Sequence, residues 1–281
     1  MTDCSDPDYH VQISIPDTLR TNDLPTRICV KISDKAGNFA DPTVFDFGPP
    51  AMLPKAVRNA ASLQRGGAIA PGSVFRVDTF NLSNSTEFSA TPVPILAGVQ
   101  MSVLDGAGHS LPVLMTAAGP LFTEGVMPDA AVPGAATINV QPPQGPPLSQ
   151  PVTISRTAPG IYSANGIAVP SGFASDSNGN VFPLANCQNQ GCTVTHLPIS
   201  STPEGLDFVL YCTGIRAGGG LVRLRLGTHT LNEVDVGQHP SIAGVDELHF
   251  HLPQDFPLRL FQAILAETPD GDSNYLWIYL E

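Results

Sequence analysis

The chain has 281 residues, of which 42% are hydrophobic and only 14% are charged, and its formal net charge is −12. Its 13 lysines and arginines form no cluster, so we exclude nucleic-acid binding, which needs a positive patch that displaces counterions. No apolar run reaches the roughly 20 residues of a membrane-spanning helix, and we expect no insertion into a membrane.

Glycine and proline are frequent, with 26 and 28 residues, and they recur between short apolar runs along the chain. Because proline fits neither a helix interior nor a central strand, this spacing predicts many short strands joined by turns. No amphipathic run with the helical period of 3.6 residues is long enough to favour alternating strands and helices. We therefore predict an all-β fold of tandem Ig-like antiparallel β-sandwiches.

The first 50 residues contain strand signals, with alternating polar and apolar residues at 9–15, 27–32 and 44–47 and a Gly-Asn turn at 34–38. Three or four strands are too few for a sandwich, so we expect residues 1–50 to be the end of an upstream Ig-like module. The first residues are polar and acidic rather than a signal peptide. We therefore expect a piece excised from a longer secreted chain.

After Gly48-Pro49-Pro50, one order of strand segments occurs twice. The first copy has five segments: the one after Pro71, 99–104, the one that ends at Pro128, 136–140 and 151–155. The second copy has the corresponding segments in the same order, at 204–211, 221–226, 245–253, 260–266 and 275–280. Short strands at this spacing are typical of Ig-like domains. We predict sandwiches at 51–158 and 159–281, joined near Pro159-Gly160.

Four segments of these two repeats are similar to a known family; they lie at 56–62, 69–73, 157–162 and 207–216. Together they resemble an uncharacterised Ig-like C-terminal domain family of secreted acidobacterial proteins of the Solibacter type, over residues 56–281. The resemblance implies an Ig-like module at a chain end; no catalytic or binding residues are established for that family, so none is carried over to this chain. That family usually has glycine where this chain has Cys212. The turn at 34–38 resembles one in bacterial Ig-like repeats.

The chain has five cysteines. Cys187 and Cys192 flank a polar turn and would form a local disulfide, and Cys4 and Cys29 would bridge the N-terminal segment. Cys212 lies in an apolar strand, where we expect a buried side chain. The spacing does not fit a zinc site. Paired cysteines are typical of an oxidising compartment, and we expect a secreted or cell-surface protein.

Two acidic turns, at 270–274 and 176–180, resemble calcium loops. The first has Glu281 at its twelfth position, but Tyr275 stands where the sharp bend needs glycine. Asp-Gly and Asn-Gly are strong hairpin signals, so we expect hairpin turns at both sites. An inter-module calcium site would have an incomplete ligand set; its candidates are Asp34, Asp41 and Asp46.

His249 and His251 share one strand face with Glu247, and we expect a solvent-facing row rather than a metal site. We predict no metal and no cofactor. The sequence has no Gly-x-Ser-x-Gly elbow, His-Glu-x-x-His motif or phosphate loop. Carboxylate pairs would act only across a cleft; the candidates are Glu204 with Asp207 and Asp246 with Glu247. We therefore predict that the protein is not an enzyme, with a hydrolase as a remote alternative.

Tyr275, Trp277 and Tyr279 alternate with aliphatic residues along the last strand. Facing outward, they would stack on sugar rings or on a neighbouring module. Facing inward, they would be core, which is the position we expect. We predict a non-catalytic structural or adhesive accessory module of a secreted bacterial protein. It would space or present other domains of the parent chain, or attach to a cell-surface glycan or protein. The alternative is a carbohydrate-binding accessory module.

Overall fold

The computed structural model describes residues 26–30, 43–47, 50–188, 191–257 and 259–281. In this part of the chain helix occurs only as short 3₁₀ turns, at Ala164–Gly166, Ile199–Ser201 and Arg216–Leu221. β1 (Thr26–Val30) pairs antiparallel with β2 (Thr43–Phe47), which confirms the strands predicted there. The segment 9–15, the turn at 34–38, Cys4, Asp34 and Asp41 lie outside the described residues, as do the side chains of Cys29 and Asp46.

The first sandwich contains β3 (Ala51–Asn59), β4 (Val74–Phe80), β5 (Glu87–Val93), β6 (Gln100–Leu104), β7 (Ser110–Ala118), β8 (Phe122–Val126), β9 (Gly134–Gln141) and β10 (Leu148–Ile154). One sheet has the order β3-β4-β8-β7 and the other β10-β9-β6-β7. β7 belongs to both sheets, because its first residues pair with β6 and its last residues with β8. β5 pairs with β7 off this path.

The second sandwich contains β11 (Gly160–Ile161), β12 (Gly172–Ser175), β13 (Val181–Pro183), β14 (Ala185–Gln188), β15 (Gly191–Val194), β16 (His196–Leu197), β17 (Leu206–Thr213), β18 (Arg223–Leu226), β19 (His229–Leu231), β20 (Asp235–Gln238), β21 (Asp246–Leu252), β22 (Leu260–Thr268), β23 (Gly271–Asp272) and β24 (Leu276–Leu280). Its sheets have the orders β13-β12-β17-β21-β20 and β16-β24-β22-β18-β19. β14 and β15 form a separate hairpin.

Both sandwiches have the strand order of the immunoglobulin fold, A-B-E-D in one sheet and G-F-C in the other. In the first, β3-β4-β8-β7 faces β10-β9-β6; in the second, β12-β17-β21-β20 faces β24-β22-β18. The five segment correspondences from the sequence fall on equivalent strands. The all-β prediction of tandem Ig-like antiparallel sandwiches is confirmed. The boundaries at 1–50, 51–158 and 159–281 stay a prediction.

Each sandwich has its own hydrophobic core, because alternate residues of its strands point inward. One cluster is drawn from residues 56–154 and centres on Phe75, Met101 and Ile138. The other is drawn from residues 161–280 and includes Phe208, whose ring stacks on Phe250 at 4.7 Å.

Each sandwich also has a short parallel contact with its last strand. Ile69 bridges Ile154 in the first, and β16 pairs with β24 through His196 and Tyr279 in the second. None of the described helices is long and apolar enough to cross a membrane.

Candidate functional site

The outer face of the sheet β16-β24-β22-β18-β19 carries a group of aromatic side chains. We call Phe261, Tyr275, Trp277 and Tyr279 the aromatic face. Phe261 is 55% exposed, Tyr275 58% and Trp277 45%, while Tyr279 is half-buried. The alternate residues of β24 are buried. The expectation that the stripe belongs to the core is therefore wrong, because the aliphatic set of this strand fills the core instead.

Tyr279 is held between two neighbours across the sheet. His196 on β16 stacks on its ring at 3.9 Å, and Phe261 on β22 meets the ring edge-on at 5.0 Å. Both residues lie directly opposite Tyr279 in the strand register. Such aromatic pairs favour fixed ring orientations. Sequence reasoning missed Phe261 and His196, because their positions depend on the pairing of distant segments.

Trp277 and Tyr275 occupy the next two rows of the same face. Trp277 lies opposite Ala263, so small side chains adjoin its indole. The Tyr275 hydroxyl accepts a hydrogen bond of 2.8 Å from Arg225. Arg225 also forms an ion pair of 3.2 Å with Glu267. The face therefore combines exposed rings with a bordering pair of opposite charges.

A second feature is the contact region between the two sandwiches, which we call the joint. Its residues come from five distant segments of the chain: Asn59, Gly72, Ser73, Val74, Ala158, Gly160, Thr213, Gly214, Arg216, Gly244 and Asp246. The buried Thr213 hydroxyl accepts a hydrogen bond from the Val74 amide at 2.8 Å and donates one to the Gly244 carbonyl at 2.6 Å. Asn59 donates to the Ala158 carbonyl at 2.8 Å.

An ion pair of the second sandwich holds the arginine that reaches across the joint. Asp246 is fully buried, and its carboxylate lies 3.0 Å from the Arg216 guanidinium. Arg216 also donates a hydrogen bond to the Gly72 carbonyl of the first sandwich. Burial raises the pKa of Asp246, although hydrogen bonds and the charge of Arg216 oppose that shift. Asp246 is therefore out of reach of solvent, and its carboxylate is occupied by Arg216 and the Ile215 amide.

Glycines permit the close approach of the two sandwiches. A Cβ atom at Gly244 would lie 2.6 Å from a methyl carbon of Val74, and one at Gly214 would lie 2.4 Å from the Ala158 carbonyl oxygen. Both glycines have positive φ, at 78° and 76°. A side chain at either position would force the sandwiches apart and strain the backbone.

The four segments that carry the family resemblance meet at this joint. They supply Asn59, Gly72, Ala158 and Thr213, while Gly244 and Asp246 come from outside them.

The acidic turns form hairpins, as predicted. In the turn after β22, Gly271 pairs with Thr268, and Asp270 accepts hydrogen bonds from the amide and hydroxyl of Thr157, both at 2.9 Å. In the turn after β12, Asp176 accepts from the Asn180 amide at 2.8 Å. Hydrogen bonds from Asn180 lower the pKa of Asp176.

The histidines on β21 form the expected outward row, opposite buried neighbours such as Phe250. His251 lies 2.8 Å from Asp207, and His249 lies 3.1 Å from Glu247. Among the described residues no group of three or more metal-ligating side chains is arranged to hold an ion. Glu204 is exposed, and Asp207 is occupied by its contact with His251.

The cysteine predictions are confirmed where the structure describes them. Cys187 and Cys192 form a disulfide that joins directly paired residues of β14 and β15. Cys212 is free and fully buried, and burial raises the pKa of its thiol.

Comparison with protein-family models found no match, and comparison with curated proteins found none. Among solved structures, the chain is similar to SGBP-B of the Bacteroides ovatus mixed-linkage glucan utilization locus, in complex with a mixed-linkage heptasaccharide. The identity is 13%, over 92% of this chain and 53% of that one, with a TM-score of 0.34. The chain thus spans about half of SGBP-B.

Two further structures are similar at the same level. For domains 5–6 of the S-layer protein SbsC, the identity is 14% over 83% of this chain and 98% of that one, with a TM-score of 0.23. For the titin Ig tandem A164-A165, the identity is 8% over 76% and 93%, with a TM-score of 0.24. Likeness at these TM-scores carries no argument about function.

Proposed function

We propose that this chain is a non-catalytic accessory module of a secreted or cell-surface bacterial protein. In this proposal its two sandwiches form one rigid spacer that presents the neighbouring domains of the parent chain in a fixed orientation. The proposal includes the domain boundaries at residues 50 and 158 and membership of the acidobacterial Ig-like family. The Cys187–Cys192 disulfide supports an oxidising compartment.

The observation that carries the proposal is the packing of the joint. Domains of one chain move relative to each other by default, so a fixed orientation needs specific buried contacts between them. Here the Arg216 guanidinium donates to the Gly72 carbonyl, the Thr213 hydroxyl accepts from the Val74 amide, and glycines lie at the points of closest approach between the sandwiches. Bending at the joint would break these hydrogen bonds and leave the buried Val74 amide unpaired, which is unfavourable.

A second candidate function, carbohydrate binding, is favoured by the exposure of Tyr275 and Trp277. Exposed aromatic rings of this kind stack on sugar rings, whereas buried rings would serve only the core. The two functions are compatible, because the aromatic face and the joint use different residues.

The rigidity of the joint can be tested with Gly244→Ala. The new methyl group would collide with Val74 of the first sandwich, so we expect the sandwiches to reorient independently. The measurement is residual dipolar couplings of both sandwiches, fitted to one alignment tensor or to two. We expect one tensor for the native chain and two for the variant.

Gly179→Ala is the matched control. Gly179 has φ of 83°, close to the 78° of Gly244, but no atom lies within 4 Å of its added Cβ. It therefore introduces the same backbone strain away from the joint, and one tensor should still fit. A native chain that already needs two independent tensors would refute the rigid spacer.

A further inference from the structure

The aromatic face is an apolar surface of limited size. Phe261, Tyr275 and Trp277 are each about half exposed, and Tyr279 is half-buried. At about 200 Å² for each large side chain, the face offers roughly 400 Å². A stable protein–protein interface needs about 800 Å² from each partner. The area therefore favours a small or narrow ligand over a second copy of this chain.

The polar groups of the face also favour a ligand that is rich in hydroxyl groups. The indole N–H of Trp277 donates no hydrogen bond to any residue that the structure describes. The Tyr275 hydroxyl accepts from Arg225, which leaves its own proton available. Glu267 adds an acceptor at the border of the face. An acyl chain would leave these groups without partners, whereas sugar hydroxyls would satisfy them.

The layout fits a linear chain of sugar rings. Side chains at alternate positions of a strand are about 6.6 Å apart, which is comparable with the length of one hexopyranose unit. Trp277 lies beside the small residue Ala263, and the next strand continues that row with Gly227. The surface is therefore lower there than beside Phe261. An open row of rings accommodates the interior of a polymer rather than its end.

The charge of the face favours a neutral ligand. The charge of Arg225 is balanced by Glu267 at 3.2 Å, and the whole chain has a net charge of −12. A polyanionic glycan would therefore be repelled.

We propose that the aromatic face binds a neutral, linear hexopyranose chain. Trp277 and Tyr275 stack on successive rings, and Phe261 with Tyr279 extends the platform across the sheet. The contacts of Tyr279 with His196 and Phe261 orient its ring before binding. This inference rests on the second candidate function, carbohydrate binding, and is independent of the rigid joint.

The test is affinity electrophoresis of the full chain in native gels that contain hydroxyethyl cellulose, a neutral β-linked glucan derivative. We expect the native chain to be retarded, and Trp277→Ala to weaken the apparent affinity roughly tenfold. Trp277→Phe keeps a flat ring and should recover part of the affinity. Phe88→Ala is the matched control, because Phe88 is a 74% exposed aromatic residue on β5 of the first sandwich.

Four results would overturn the proposal. They are no retardation of the native chain, equal losses for Trp277→Ala and Phe88→Ala, and equal or stronger retardation by polygalacturonate. The fourth is a dimer in sedimentation analysis that Trp277→Ala dissociates, which would assign the face to self-association. The dipolar-coupling experiment measures the relative orientation of the two sandwiches, not glycan affinity. A negative result in the gels therefore leaves the spacer proposal intact.

Discussion

At the scale of single residues, Asp105 shows how one carboxylate organises a turn. It lies at the end of β6, where it accepts hydrogen bonds from the amides of Ala107, His109 and Val132. Desolvation opposes its charge, but these hydrogen bonds outweigh desolvation and lower its pKa from 3.8 to about 2. The carboxylate therefore fastens the β6–β7 turn to the loop at Val132.

The lowered pKa predicts a specific acid sensitivity. Because the folded pKa lies below the unfolded one, the contribution of Asp105 to stability is complete above pH 3.8 and is lost as the pH falls towards about 2. Asp105→Asn should destabilise the protein above pH 3.8, and the difference should shrink towards pH 2. Urea denaturation between pH 2 and 6 measures this.

Glu204→Gln is the control for that series, since Glu204 is an exposed carboxylate of the second sandwich. It should leave the pH dependence of the free energy of unfolding almost unchanged. A constant difference between native protein and Asp105→Asn across the pH range would contradict the assigned role.

The residue pattern alone did not predict that the aromatic face is exposed to solvent. Period-two alternation correctly predicted that Tyr275, Trp277 and Tyr279 share one side of β24. Both sides of this strand are apolar, so the pattern could not say which side meets the core. That choice depends on the neighbouring strand β22, which places Phe261 on the outer side and Ile264 on the inner side.

At the scale of elements, the β14–β15 hairpin is held mainly by its own disulfide. The hairpin forms a separate two-stranded sheet, and isolated hairpins are marginally stable in water. The disulfide closes a short loop, so its stabilisation is limited to about 2 kcal/mol. Its effect should therefore be local.

Replacing both Cys187 and Cys192 by serine tests this. We expect faster amide hydrogen exchange within β14 and β15 and little change in exchange within β17 or β21, because the latter strands lie in the core. Exchange measured by mass spectrometry on native and variant protein gives the comparison. Equal acceleration in β17 would mean that the hairpin supports the whole sandwich.

Strands were predicted from the sequence where polar and apolar residues alternate, and they were missed where this alternation is absent. β6, β9 and β21 were predicted because apolar residues recur at every second position, and the structure buries those residues. β5 was missed because most of its residues are exposed, so no alternation marks it. β20 was missed for a related reason: it is a short strand that contains Gly237, which weakens the strand signal.

At the scale of the whole molecule, the joint lay beyond sequence reasoning. Val74 and Thr213 are 139 positions apart, and no periodicity links them. The family-like segments were visible in the sequence, but their meeting point depends on how two complete sandwiches dock.

Arg216→Ala probes the molecule at this scale. The substitution leaves Asp246 buried without its cation, so we expect the free energy of unfolding to fall by about 3 kcal/mol at neutral pH. Burial raises the folded pKa of Asp246 above its unfolded value. The free energy of unfolding should therefore fall as the pH rises from the unfolded pKa of Asp246 to its folded pKa, and it should fall more steeply in the variant. Calorimetry should give one transition for the native chain and two for Arg216→Ala.

Arg223→Ala is the control for this experiment, because Arg223 is an exposed arginine of the same sandwich. It should keep a single transition at nearly the native temperature. Two transitions in the native chain would indicate that the sandwiches unfold without coupling.

The parallel contacts of the last strands have a consequence for assembly. Ile69 exchanges hydrogen bonds with Thr153 and Ser155, and Glu281, directly after β24, does so with Leu197 and Ser200. Backbone groups at the end of each sandwich are thereby paired within the same chain. Unpaired groups at a sheet edge are a template for strands of other chains, and these contacts remove part of that template.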